Sequence, residues 1–121
     1  LKDLYPMAYD CTCMHEFVMS LEKFHKENNV SALDVAKALL DFGIHPPTMY
    51  FPLIVSEALM VEPTETESRE TLDDAIAAFR KIYDSIISSP ASVYASPVTT
   101  PMRRLDEVKA AREPVLKYEF S

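Results

Sequence analysis

The stretch Ser31-Ala32-Leu33-Asp34-Val35-Ala36-Lys37-Ala38-Leu39-Leu40-Asp41-Phe42-Gly43-Ile44-His45-Pro46-Pro47-Thr48 anchors the reading of the whole chain. Ser31 followed three residues later by Asp34 forms a capping box, with Asp in place of the usual Glu. Ala32, Val35, Ala36, Leu39 and Leu40 then recur at helical spacing. Gly43 stands where a left-handed residue ends a helix, and Pro46 follows shortly after. The two prolines fix their own φ and push the residues before them towards extended geometry, so His45 to Thr48 cannot be helix.

Upstream of this helix, Met14 to Leu21 alternates. His15, Phe17, Met19 and Leu21 share one face, which predicts a strand. Lys23 to Asn29 is polar and reads as a loop. Leu1 to Thr12 has little pattern and reads as a connector from a preceding domain, leaving 13–121 as a small domain. Downstream, Met49 to Val55 is broken by Pro52, which predicts a loop or an edge segment. Ala58 to Val61 predicts a short buried strand. A second helix starts near Ser68 and carries a stripe of Leu72, Ile76, Phe79, Ile82, Tyr83 and Ile86. Ser88 to Pro101 reads as irregular, Leu105 to Arg112 as a short helix, and Val115 to Phe120 as a last strand. The order β, α, β, α predicts an α+β fold, a two-layer sandwich with helices on one face of a small sheet.

Composition narrows the function. With 121 residues, 48% apolar and 26% charged, the chain is one globular domain. Twelve Lys and Arg against nineteen Asp and Glu give a net charge of −7. That balance argues against a nucleic-acid partner and against docking on an anionic membrane. No apolar run approaches the ~20 residues of a membrane span. The single glycine, Gly43, leaves no room for a phosphate-cradling or dinucleotide-binding loop. Two cysteines make no disulfide framework. The chain opens on Leu1 and shows no signal peptide, so it reads as a fragment of a longer, cytoplasmic protein.

Few residues invite chemistry. Cys11, Cys13 and His15 alternate, but a strand spaces such residues about 6.8 Å apart, too far for one tetrahedral zinc, and no fourth ligand is near. No metal site is expected. The acidic run from Ser56 to Asp74 sets seven carboxylates against Arg69. Paired carboxylates in it suit acid–base work, with the plainer use at the start of a helix, where Glu65, Glu67 and Glu70 crowd and the dipole favours anions. The stiff loop at His45 presents Thr48, Tyr50 and Phe51, which serve either as a pocket wall or as filling for the domain's own core. His45 is an acid, a base or a stacking partner in the first case, and a structural loop histidine in the second. Arg103 and Arg104 suit an anionic ligand or a partner surface, with an intramolecular ion pair as the plainer use. None of the seven lysines sits in a context that marks a Schiff base.

Several strings carry a resemblance. Met14-His15-Glu16-Phe17-Val18, Ser31 to Lys37, Asp41 to Pro52 and Glu57-Ala58-Leu59-Met60-Val61-Glu62-Pro63-Thr64-Glu65-Thr66-Glu67-Ser68 resemble, in order, the C-terminal part of the glycine cleavage system P-protein family. That family is glycine dehydrogenase (decarboxylating). The ending, Thr99 to Arg112, is similar to the second subunit of its two-subunit prokaryotic form. The resemblance implies the small C-terminal domain of a fold-type I enzyme dependent on pyridoxal 5'-phosphate. It implies as partners a large cofactor-binding domain in the same protein, a companion subunit 1 and the lipoylated H-protein, with glycine as substrate. The cofactor lysine would lie in the large domain, so no catalytic residue is carried onto this chain. His45, Thr48, Tyr50 and Phe51 become candidates for a wall of the active-site cleft. Arg103 and Arg104 become candidates for the cleft or the subunit contact. The fragment alone is expected to bind no pyridoxal phosphate and to be inactive. The competing expectations are an independent small-ligand-binding or regulatory α+β module, and an inert relative kept as a scaffold.

Overall fold

The computed structural model describes residues 1–118. It contains β1 (Phe17–Ser20), α1 (Glu22–Asn28), α2 (Ala32–Leu40), β2 (Thr48–Met49), β3 (Ala58–Val61), α3 (Arg69–Ser88), α4 (Pro90–Ala95) and α5 (Glu107–Arg112). The three strands form one antiparallel sheet in the order β1-β3-β2. Val18 faces Met60 and Met19 faces Leu59 across β1 and β3, and Thr48 faces Met60 across β2 and β3. The central strand is the short apolar run, and Ala58 and Leu59 are fully buried. Helices pack on this sheet, as the α+β sandwich reading expects.

The capping box forms as predicted. The Ser31 hydroxyl accepts from the Asp34 amide, and the Asp34 carboxylate accepts from the Ser31 amide. Gly43 has φ +70°, the left-handed geometry its position predicts. Ser68 caps α3 by accepting from the Thr71 amide at 3.1 Å.

Four expectations need correction. The first strand is shorter than Met14–Leu21, because Met14 and His15 stand exposed before the sheet begins. Lys23 to Asn29 is not loop but most of α1. That helix holds a single buried anchor, Phe24, so it shows no apolar period. It ends at Asn29, which takes φ 58°. Within Ser88 to Pro101, Pro90 starts α4, where its missing N–H costs nothing, and Val93 seats it in the core. Residues 115–118 form no strand, and the remainder of that expected strand lies outside the described residues.

The α3 stripe divides. Phe79, Ile82 and Ile86 are buried, whereas Leu72 is half-buried and Ile76 is exposed. The first half of the helix runs beside an open groove rather than under a second layer.

Tyr5, in the opening segment, is fully buried in the core. Its ring meets Phe24, Phe79 and Tyr83 edge-on at 5.6–6.0 Å. Its hydroxyl donates to the Phe79 carbonyl at 2.8 Å. Burial pushes the phenol pKa well up, with smaller contributions from Tyr83 and Asp84, so it stays neutral and donates. The next residues close the free edge of β1. The Ala8 amide donates to Val18, and the Ser20 amide donates to Pro6, at 2.8 and 2.9 Å.

Candidate functional site

The site is built where α2 ends. The Gly43 turn releases the chain into Ile44 and His45, and the two prolines carry it straight to β2. The Tyr50 amide donates to the Ala58 carbonyl at 2.8 Å, and Tyr50 itself takes φ 58°. The chain then swings out through Phe51 to Val55 and returns at Glu57. That return is held firmly. Glu57 has φ 49°, and its carbonyl accepts from the Leu21 amide at 2.9 Å. One of its carboxylate oxygens accepts from the Ala32 amide at 2.6 Å, and the other stands 3.2 Å from His25 Nδ1. The carboxylate thus satisfies a free N–H at the start of α2.

Between this loop, the Glu62–Glu67 segment and the first half of α3 lies an open groove of about 880 Å³. Ile44, Met60, Val61, Leu72 and Ala75 give it an apolar lining, and His45 and Thr48 stand along it. Glu62, Glu67 and Asp74 set its charge against Lys81, whose ammonium sits 5.8 Å from the centre of the Phe42 ring.

Of the four cleft-wall candidates, the structure brings His45 and Thr48 together on the groove. Tyr50 and Phe51 are not part of its lining, nor of the core. They are about half exposed and lead into Leu53 and Ile54, each 86% exposed. Four large apolar side chains therefore face solvent on one short loop.

The two arginines diverge. Arg104 is held within the fold. It donates to Asp34 Oδ1 at 2.6 Å, to the Ser96 carbonyl at 2.7 Å and to the Val93 carbonyl at 3.2 Å. Its pair is Asp34, not the neighbouring Asp106 or Glu107. Among the described residues, Arg103 reaches only the Pro97 carbonyl, at 3.4 Å. A second carboxylate, Asp41, accepts from the Val98 and Thr99 amides and the Thr99 hydroxyl at 2.7–2.8 Å. Burial pushes both carboxyls up, but these hydrogen bonds outweigh it and hold both below the usual carboxylate range, with Ser31 and Arg104 acting on Asp34. The segment 96–104 is thereby strapped to α2. Only the capping half of Asp34's role shows in the sequence; Asp41, Glu57 and Tyr5 carry no local signal.

Cys11 and Cys13 are exposed free thiols, and among the described residues no three His, Cys, Asp or Glu side chains converge. No helix among the described residues is long and apolar enough to cross a membrane.

Comparison with known proteins places these features. The family model "Glycine dehydrogenase, C-terminal domain" matches residues 1–100. The chain belongs to the glycine dehydrogenase C-terminal domain family. Among relatives named "Probable glycine dehydrogenase (decarboxylating) subunit 2", that of Treponema denticola is 57% identical over 119 residues, 98% of this chain. Those of Fervidobacterium nodosum and Thermosipho melanesiensis are 55% and 56% identical over 98% and 99% of it. The chain spans about a quarter of the length of the curated relatives it matches.

The groove of this glycine dehydrogenase domain does not by itself fit pyridoxal phosphate. A cofactor site needs a lysine for the imine and a cradle for the phosphate. The groove offers one lysine, already placed over Phe42, and a carboxylate majority that repels a phosphate.

Proposed function

We propose that this domain is the small lobe of a glycine-decarboxylating enzyme, and that it walls a cleft whose chemistry is performed by the rest of the polypeptide. Family membership over nearly the whole chain carries this reading. Pyridoxal phosphate belongs to the large domain of the same protein and would supply the electron sink for loss of carbon dioxide from glycine. The companion subunit 1 completes the assembly, and the lipoyl group of the H-protein takes the aminomethyl product. No catalytic step is assigned to this chain's side chains.

Its contribution is a shaped boundary. The His45–Thr48 segment is stiffened by two prolines and pinned by β2, so little entropy is lost when a second surface closes against it. Tyr50, Phe51, Leu53 and Ile54 form the apolar rim that such a surface would cover, excluding water from the cleft. His45 presents an imidazole on the same wall.

The test is glycine–bicarbonate exchange by the full-length protein with its companion subunit. The wild type is expected to exchange and to show cofactor absorbance, and the isolated domain to do neither. Replacing Leu53 and Ile54 together by Asp is expected to lower exchange by about tenfold or more while the domain melts normally. Exchange by the isolated domain, or full exchange by the double variant, would overturn the reading.

A further inference from the structure

The apolar rim, residues 51–56, takes its pose from the foot of its loop rather than from packing. None of these residues joins the core. Among the described residues, the hydrogen bond within the loop runs from the Val55 amide to the Pro52 carbonyl, at 3.0 Å. The returning leg is tied to β1, α1 and α2 in turn. The Ser56 carbonyl accepts from the Ser20 hydroxyl at 2.9 Å, and the Glu57 carbonyl accepts from the Leu21 amide. The Glu57 carboxylate then reaches the Ala32 amide at the start of α2 and stands beside His25 of α1.

The backbone of Glu57 makes this carboxylate informative. At φ 49° a residue with a Cβ is strained, whereas glycine adopts the geometry freely. A glutamate there carries the strain and supplies an oxygen that glycine lacks. That oxygen meets a donor the capping box leaves open, since the Ser31 hydroxyl serves the Asp34 amide and not that of Ala32. The side chain is only 13% exposed, so it is drawn in rather than solvated. Strain and bond fall together at the one residue where the rim rejoins the sheet.

We propose that Glu57 is a positioning residue for the cleft, whose carboxylate aims residues 51–56 at the surface that closes on them. This deepens the cleft-wall reading above and rests on it. A rim already held in its closing pose has little freedom left to lose. A rim loose at its foot occupies that pose only part of the time, and the apparent affinity for a substrate that needs closure falls by that fraction. Once substrate saturates the enzyme the closed state is the same, so the effect falls on the KM for glycine and spares kcat.

The experiment uses the full-length protein with its companion subunit and compares Glu57→Gly, Glu57→Ala and Glu57→Gln with wild type in glycine–bicarbonate exchange. Gly and Ala both remove the carboxylate, but only Ala keeps the backbone strain, so the Gly variant should melt higher than the Ala variant. Both are expected to raise the KM for glycine by about tenfold, with kcat within about twofold of wild type. Gln keeps an oxygen for the Ala32 amide and should hold the KM within about threefold of wild type. Amide hydrogen exchange of the peptide covering residues 51–57, read by mass spectrometry, should quicken by about tenfold in the Gly and Ala variants and not in the Gln variant. A KM that follows the melting temperature instead of the carboxylate would overturn the proposal, as would a fall in kcat equal to the fall in kcat/KM. A quicker loop with an unchanged KM would overturn it as well, and the cleft-wall reading would stand if Leu53→Asp with Ile54→Asp still abolishes catalysis. Full activity of that rim variant would overturn the reading and the proposal together.

Discussion

Removing the Asp34 side chain should cost this domain more than any other exposed-looking polar change, because one carboxylate does two jobs. One oxygen accepts from the Ser31 amide and hydroxyl, at 2.9 and 2.6 Å, and completes the cap of α2. The other accepts from Arg104 and holds the strap. Loss of a cap costs about 1 kcal/mol. Loss of a charge-assisted hydrogen bond costs about 1.5–3 kcal/mol, and the lower end applies here because Arg104 stays partly solvated and keeps its two carbonyl partners. Asp34→Ala is therefore expected to destabilise by about 2–4 kcal/mol. That corresponds to a fall of roughly 10–15 °C in melting temperature for a chain of this size. Urea unfolding followed by circular dichroism measures it. Asp34→Asn should recover little, since its amide nitrogen would face one of two donors. A double-mutant cycle with Arg104→Ala should return a coupling of about 1–2 kcal/mol. The pH dependence gives an independent check. The folded Asp34 pKa lies below its unfolded value, so the stabilisation is complete above about pH 4, near the unfolded value. It is lost as pH falls through the folded pKa. Asp34→Ala should flatten that acid limb. A loss below about 0.5 kcal/mol with an unchanged acid limb would refute the two-job account.

Two further substitutions test the core and the turn. Tyr5→Phe should cost about 0.5–1.5 kcal/mol for the bond to Phe79, and Tyr5→Ala about 3–5 kcal/mol, both read from urea midpoints. Gly43→Ala meets no atom within 4 Å, so its cost is backbone alone, about 1–2 kcal/mol by thermal melting.

Local signals were legible and distant ones were not. The Ser31–Asp34 box and the Gly43 and Ser68 positions rest on groups within a few residues of each other, so residue type and spacing reveal them. Helices α1 and α4 escaped because each reaches the core through one residue, Phe24 or Val93, and one contact has no period. The α3 stripe showed where apolar residues point, but whether a layer lies opposite depends on where the sheet stops. At the candidate site, the stiffness of the loop singles out His45 and Thr48, and the structure places both along the groove. Glu57 looked like one more member of an acidic run until its carboxylate met Ala32 and His25 across 25 and 32 positions of sequence.

Residue order alone settles where the main helices begin and end, that Ala58 to Val61 is a buried strand, and which family the chain resembles, since each depends on short-range bonding or on strings of residues; that this strand is the central one is decided by its pairing with both others. The partners of Tyr5, Asp41, Glu57 and Arg104 emerge only when the chain is folded. Every one of those contacts joins groups far apart in sequence, and a charge or hydroxyl carries no mark of what it will meet until packing brings the two together.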